Sequence, residues 1–135
     1  DLNDLCRQAV ESNKLKLLSN GNQLRDFICL ADLEEVMLRI ELDSLGTFNK
    51  CIYNIGSGIS MSVIDMANLI AKIHYEFYGK VIPIELPKNS IYTEIAPFKY
   101  NIDRLLSEGV ILKNDFKMEI ESLLSFCYKH FKRNS

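Results

Sequence analysis

Residues 51–70 read Cys51-Ile-Tyr-Asn54-Ile-Gly56-Ser-Gly58-Ile-Ser60-Met-Ser62-Val-Ile-Asp65-Met-Ala-Asn-Leu-Ile70, and their order decides the class of fold. Cys51 to Ile55 is a compact, β-rich run, predicted as a strand that stops at the glycines. Ser60 or Ser62 is placed to cap the helix that follows. Ser62 with Asp65 fits a loose capping box, Asp standing where Glu or Gln is preferred. Val63, Met66, Ala67, Ile70, Ile73, His74 and Phe77 line one face of that helix, and Gly79 ends it. Strand, Gly-x-Gly turn and amphipathic helix in that order predict a mixed α/β (α+β) chain.

Outward from this stretch, residues 2–11 place Leu2, Leu5, Cys6, Ala9 and Val10 at helical spacing. Leu15 to Leu18 reads as a short strand, Ser19-Asn-Gly-Asn22 as a turn, and Leu24 to Leu30 as a second strand. Asp32 caps or enters a helix running to about Leu45, with the stripe Leu33, Val36, Met37 and Ile40, and Gly46 as a stop. Val81 to Leu86 reads as an edge strand, because Pro83 removes one ladder donor. Residues 87–97 are bounded by prolines and irregular. Phe98 to Ile102 is weakly strand-like, and Asp103 to Ser107 is a short helix before Gly109. The last helix spans about Asp115 to Lys132, with Phe116, Ile120, Leu123, Leu124, Cys127 and Phe131 inward. Several of these strands are too short for a stand-alone wound sheet.

The chain has 135 residues, of which 47% are apolar and 25% charged. That composition excludes disorder and suits about one domain. A formal charge of −2 gives no net pull toward nucleic acid or an anionic membrane surface. No apolar run approaches the roughly 18–20 residues that span a bilayer. Cys6, Cys29, Cys51 and Cys127 match no metal-ligand or redox spacing, and each sits among apolar residues. They read as reduced core residues, which predicts a cytoplasmic compartment. The sequence starts Asp1-Leu2 with no Met and no signal-peptide pattern, so it is expected to be part of something longer.

Three motifs carry possible chemistry. Gly56-Ser57-Gly58 between strand and helix can present amides to a phosphate. The dinucleotide fingerprint, however, needs a third glycine, where Met61 stands, and an acidic residue about 20 further on. A tight turn near a ligand is the alternative. Tyr128-Lys-His-Phe-Lys132 puts a tyrosine and a lysine on one helix face, where the cation can favour the phenolate. The plainer reading is a solvated flank, with His130 exposed and His74 a partly buried residue holding a hydrogen bond. Arg25-Asp26-Phe27-Ile28 enters a strand after a turn. A planar guanidinium there suits a phosphate; the alternative is a structural Arg25–Asp26 pair.

The order of these motifs resembles a known family. Arg25-Asp-Phe-Ile-x-x-x-Asp32, a helix, then Ile52-Tyr-Asn-Ile-Gly-Ser-Gly58 and a Ser-capped helix are similar to the C-terminal part of the extended short-chain dehydrogenase/reductases. These are the NAD(P)-dependent epimerases and dehydratases of nucleotide-sugars. Asn13 to Gly21 resembles the segment leading into that family's Arg-Asp strand, and Asn101 to Gly109 its small helix before the last. The similarity covers residues 1–132. Whole members are roughly twice as long, and their N-terminal Rossmann half carries the glycine-rich cofactor loop, the Ser/Thr and the Tyr-x-x-x-Lys. No such glycine loop occurs here, and Tyr128/Lys132 falls at the wrong end of the order. The resemblance therefore implies a substrate-binding region, residues 1–135, that normally packs on a Rossmann domain. It implies NAD or NADP in the whole protein and none bound by this region.

Residue by residue, the resemblance implies that Arg25 contacts a nucleotide diphosphate and that Asn54 lies near the nucleotide. Leu15, Lys16 and Leu18 occupy slots that pack on the base; Leu18 stands where relatives often have an aromatic, so stacking is lost and apolar contact remains. Glu94 falls near an acidic position that holds ribose. Many members have a second phosphate-binding arginine near the place of Ile91, and no arginine is close by here. Lys88 or Lys99 is the nearest cationic substitute. Asn101 replaces a common Asp.

Three readings follow. The first is the nucleotide-sugar-binding part of an epimerase, dehydratase or reductase, without turnover of its own. The second is a non-catalytic binding or interaction module derived from that fold, consistent with the missing second arginine. The third is a small dinucleotide binder using Gly56 to Gly58. In the first, the partners are a nucleotide-diphosphate sugar and the chain's own Rossmann half. Self-association into a homo-oligomer is expected from the apolar face such a half would cover.

Overall fold

The computed structural model describes residues 1–49, 52–88 and 97–132. In chain order the elements are α1 (Leu2–Ser12), β1 (Leu15–Lys16), β2 (Leu24–Asp26), α2 (Leu30–Glu41), β3 (Ser60–Ser62), α3 (Val63–Tyr78), β4 (Ile84–Glu85), α4 (Asp103–Ser107) and α5 (Phe116–His130). Side-chain caps start three of the helices. Asp1 accepts from the Asp4 amide at 2.8 Å, Ser62 from the Asp65 amide at 3.0 Å, and Asp115 from the Met118 amide at 3.0 Å. The Ser62 hydroxyl also donates to the Asp65 carboxylate at 2.5 Å, so the loose capping box closes between side chains. Gly79 ends α3 in the left-handed region, φ 64°.

The stripes of α1, α3 and α5 meet in one core. It contains Cys6, Ala9 and Val10 of α1, Met66, Ile70 and Ile73 of α3, and Ile120, Leu124 and Cys127 of α5. β1 and β4 border this core as a parallel pair, Leu15 opposite Ile84 and Lys16 opposite Glu85. The Leu15 amide extends the pairing to the Pro83 carbonyl at 2.9 Å, a position where the proline serves only as acceptor. A second, smaller cluster joins Val36 of α2 to Ile102, Leu105 and Val110, with Phe48, Ile55, Tyr100 and Leu112 packed against it. Buried Cys6, Cys29 and Cys127 are free thiols. Burial pushes the Cys6 thiol up to about 12 and the Cys29 thiol to about 11, so both stay protonated at neutral pH. Cys51 lies outside the described residues.

The mixed α/β class holds, but several expectations change. The strand predicted over 24–30 is three residues long, because Cys29 already stands as N-cap of α2. α2 stops at Glu41 rather than near Leu45, and of its stripe only Val36 is fully buried while Met37 and Ile40 are exposed. Ile52 to Ile55 forms no strand, and neither does Phe98 to Ile102. β-propensity needs a partner edge to act on, and the strand in this region is instead Ser60–Ser62, antiparallel to β2. Phe77, expected inward, lies in the last turn of α3 and is 55% exposed. Among the described residues no helix is long and apolar enough to cross a membrane, and no group of His, Cys, Asp and Glu is placed to hold a metal ion.

Candidate functional site

β2 and β3 pair with Leu24 opposite Ser62, Arg25 opposite Met61 and Asp26 opposite Ser60. Strand alternation sends Arg25 to one face and Asp26 to the other. Arg25 is exposed, and its Nη1 donates to the neighbouring Leu24 carbonyl at 3.1 Å. Among the described residues it makes no ion pair. The structural Arg25–Asp26 pair entertained from the sequence is thus absent among those residues.

Asp26 instead accepts from the backbone amides of Ser57 at 2.6 Å and Gly58 at 2.8 Å. These are the N–H groups that a Gly-x-Gly turn would aim at a phosphate, and an internal carboxylate already occupies them. The turn needs its glycines for fit. A Cβ on Gly56 would lie 2.6 Å from the Tyr100 ring and 2.9 Å from Asp26 Oδ1, and Gly58 has φ +73°. A tight turn, not a dinucleotide cradle, is therefore what Gly56-Ser57-Gly58 forms.

Asp32, six residues beyond Asp26, repeats the arrangement. It is 3% exposed and accepts from the amides of Lys113 and Asn114, both at 2.8 Å. It is the third residue of α2 and not the N-cap. Asn114, at φ 50°, then donates its side-chain amide to the Ser57 carbonyl at 3.3 Å. Sequence reasoning missed both clamps. The only trace of them was a pair of carboxylates inside an otherwise apolar run.

Asn54 is exposed and donates from Nδ2 to the Asn101 carbonyl at 2.9 Å. Beside it opens a polar cavity of about 440 Å³ lined by Ile52, Asn54, Asn101, Asp103 and Arg104. Arg25 and Asn54 hold separate hydrogen-bond partners, the Leu24 and Asn101 carbonyls. Lys99 borders another cavity, of about 450 Å³, together with Ser57, Gly58, Tyr100 and Asn114. Lys88 is exposed.

The segment before β2 divides by alternation. Leu15 is fully buried in the larger core, so the expectation that it packs on a base is corrected: it has no surface to offer. Lys16 is exposed, its backbone amide held by Gln8 Oε1 at 2.9 Å, and Leu18 is 95% exposed. Glu94 and the neighbourhood of Ile91 lie outside the described residues.

Tyr128 is not on a solvated flank. His74 Nε2 lies 2.7 Å from its hydroxyl, and His74 Nδ1 lies 3.0 Å from the Lys80 carbonyl. A carbonyl only accepts, so Nδ1 carries the proton and Nε2 accepts from Tyr128. His74 is fully buried, and burial holds its pKa below the ordinary imidazole value. Burial pushes the Tyr128 hydroxyl up, away from a base-catalyst range, while the Lys132 ammonium sits over its ring at 4.9 Å. His130 is exposed, as expected.

No protein-family model and no curated protein matches the chain. Solved structures do. It is similar to the NADPH complex of RMD from Pseudomonas aeruginosa, with 19% identity and a TM-score of 0.70, over 95% of this chain and 41% of that one. It is similar to the UDP-glucuronic acid 4-epimerase of Bacillus cereus in complex with UDP-glucuronic acid and NAD, with 19% identity and a TM-score of 0.66, over 93% and 38%. A monomeric L-threonine 3-dehydrogenase from a metagenome matches with 19% identity and a TM-score of 0.66, over 93% and 40%. The chain has the fold of the C-terminal portion of such proteins and spans about two fifths of their length.

Proposed function

We propose that this chain is the nucleotide-sugar-binding portion of an NAD(P)-dependent epimerase, dehydratase or reductase, with oxidation and proton transfer performed by a Rossmann half. The observation that carries the reading is Arg25, an exposed guanidinium at the centre of β2 with no carboxylate paired to it among the described residues. An always-charged, bidentate donor left in that state suits a diphosphate. Similarity of fold to a protein solved with UDP-glucuronic acid supports the substrate class.

In this reading Arg25 holds the diphosphate and Asn54 supplies an amide acceptor toward the nucleotide. Lys16 and Leu18 give the base an alkyl stem and an apolar contact, and Glu94, outside the described residues, is the acid this reading assigns to ribose. Binding energy from the nucleotide, remote from the reacting carbon, orients the sugar for chemistry in the other half. Asp26 takes the Ser57 and Gly58 amides that a dinucleotide phosphate would need, which supports placing NAD or NADP on the Rossmann half. Exposed Met37, Leu38, Leu42 and Leu45, on α2 and just after it, support a covering partner, either that half or a second copy.

The test is calorimetric titration of the intact protein, as encoded, with UDP, ADP, GDP and dTDP. At least one should bind, and Arg25→Ala should weaken it by about tenfold, the size of about 1.4 kcal/mol. Unchanged affinity in folded Arg25→Ala protein overturns the reading.

A further inference from the structure

We propose that Asp26 is the positioning residue for Arg25, and that Asn114 and Asp32 complete a closed polar ring that fixes the guanidinium's strand against the 56–58 turn. This rests on the reading of Arg25 as the diphosphate-binding group. β2 and β3 are three residues each and, among the described residues, pair with one another and with no third strand. A two-stranded ribbon of that length does not hold its shape unaided.

Met61 packs β3 against the larger core and the Val63 and Ile64 amides extend the contact to Gln23 and Gly21, and Asp26 adds a constraint on the turn side. Its carboxylate reaches past the β2–β3 ladder and holds two successive amides, at 2.6 and 2.8 Å. Bonds from backbone N–H to an ionised carboxylate are short and about twice as strong as neutral ones. Ser57 is then held on both sides of the chain, its amide by Asp26 and its carbonyl by Asn114. The Asn114 amide is in turn held by Asp32, on the same segment as Asp26. The ring therefore starts and ends within Arg25–Asp32.

The placement has an electrostatic consequence. A carboxylate next in sequence to Arg25 would weaken anion binding if it paired with the guanidinium. Here it points to the opposite face and its charge is satisfied by amides. Arg25 keeps its own charge for a ligand, and its backbone is anchored one residue away.

A double-mutant cycle tests this in the intact protein. The probe is whichever of UDP, ADP, GDP and dTDP the wild type binds most tightly, measured by calorimetry on folded samples. Asp26→Asn in the Arg25 background should weaken binding by about tenfold, within the coupling expected of residues that act together. In the Arg25→Ala background it should change affinity by less than about twofold. Equal losses in both backgrounds, or no loss with Arg25 present, would overturn the positioning role. If Arg25→Ala itself leaves affinity unchanged, the reading of Arg25 falls and the proposal with it. A loss with Arg25→Ala and none with Asp26→Asn overturns the proposal alone. Should Asp26→Asn fail to fold, Asn114→Ala takes its place in the same cycle, with the same outcomes required. Amide exchange at Ser57 and Gly58, faster in Asp26→Asn than in wild type, reads the clamp independently of any ligand.

Discussion

The core among α1, α3 and α5, which Phe27 and Met61 beside and in the β2–β3 ribbon also touch, and the lobe around α2, α4 and the 56–58 turn are held by different forces. The first gathers fifteen buried apolar residues among those described; the second gathers four. Four buried side chains, with Phe48, Ile55, Tyr100 and Leu112 packed against them, offset little of the conformational entropy lost by the segments they join. The lobe makes up the difference with charged hydrogen bonds that Asp26 and Asp32 accept from distant backbone amides. The difference teaches where function can sit. The helical core is a platform, and the candidate site occupies the part held by a few polar ties, which single substitutions can loosen.

The largest expected effect breaks the platform. Leu124 is fully buried among all three helices, and Leu124→Ala should lower global stability by about 3 kcal/mol in urea unfolding, within the range for buried leucines. Asp32→Ala should cost about 2 kcal/mol, since it removes a charged acceptor from two amides. Its effect should be local. Amide exchange should accelerate at Lys113 and Asn114 and leave α1 and α5 protected. If Asp32→Ala instead loosens α1 and α5 equally, the two regions are one cooperative unit and the contrast fails.

A pH titration sharpens the same contrast from the other side. His74 links α3 to α5 as a neutral imidazole, and its folded pKa lies below the ordinary value of 6.5. A depressed pKa means the unfolded chain binds the proton more readily. Its contribution is therefore fully present above about 6.5 and is lost as pH falls from there through the folded pKa. Thermal unfolding between pH 7.5 and 5 should show this fall, and His74→Gln should flatten it. Tyr128→Phe should cost about 1 kcal/mol at neutral pH by removing the hydroxyl that Nε2 accepts from. The smallest effect is expected at Leu18, where Leu18→Ala should change stability by less than about 0.5 kcal/mol while weakening nucleotide binding.

Much of the platform was legible in the sequence, because α1, α3 and α5 carry stripes at helical spacing and Ser62, Asp115 and Gly79 mark their ends. The lobe and the β2–β3 ribbon were less so. Ser60-Met61-Ser62 has no strand composition, and it becomes a strand through pairing with β2 beside the Asp26 clamp. Ile52 to Ile55 has strand composition and forms none, since no partner edge meets it among the described residues. The candidate site was legible as residue types but not as contacts. The partners of Asp26 and Asp32 lie 31 and 81 residues away along the chain, and nothing in a carboxylate's local spacing announces them. Leu15 misled for a related reason: alternation within a two-residue strand decides which side faces the core.

The most direct test of the central claim is the affinity of the intact protein for nucleoside diphosphates, with and without Arg25. The account predicts that one of UDP, ADP, GDP and dTDP binds and that folded Arg25→Ala protein binds it about tenfold more weakly, the size of about 1.4 kcal/mol. Equal affinity in wild type and Arg25→Ala, or no binding of any of the four, would contradict it.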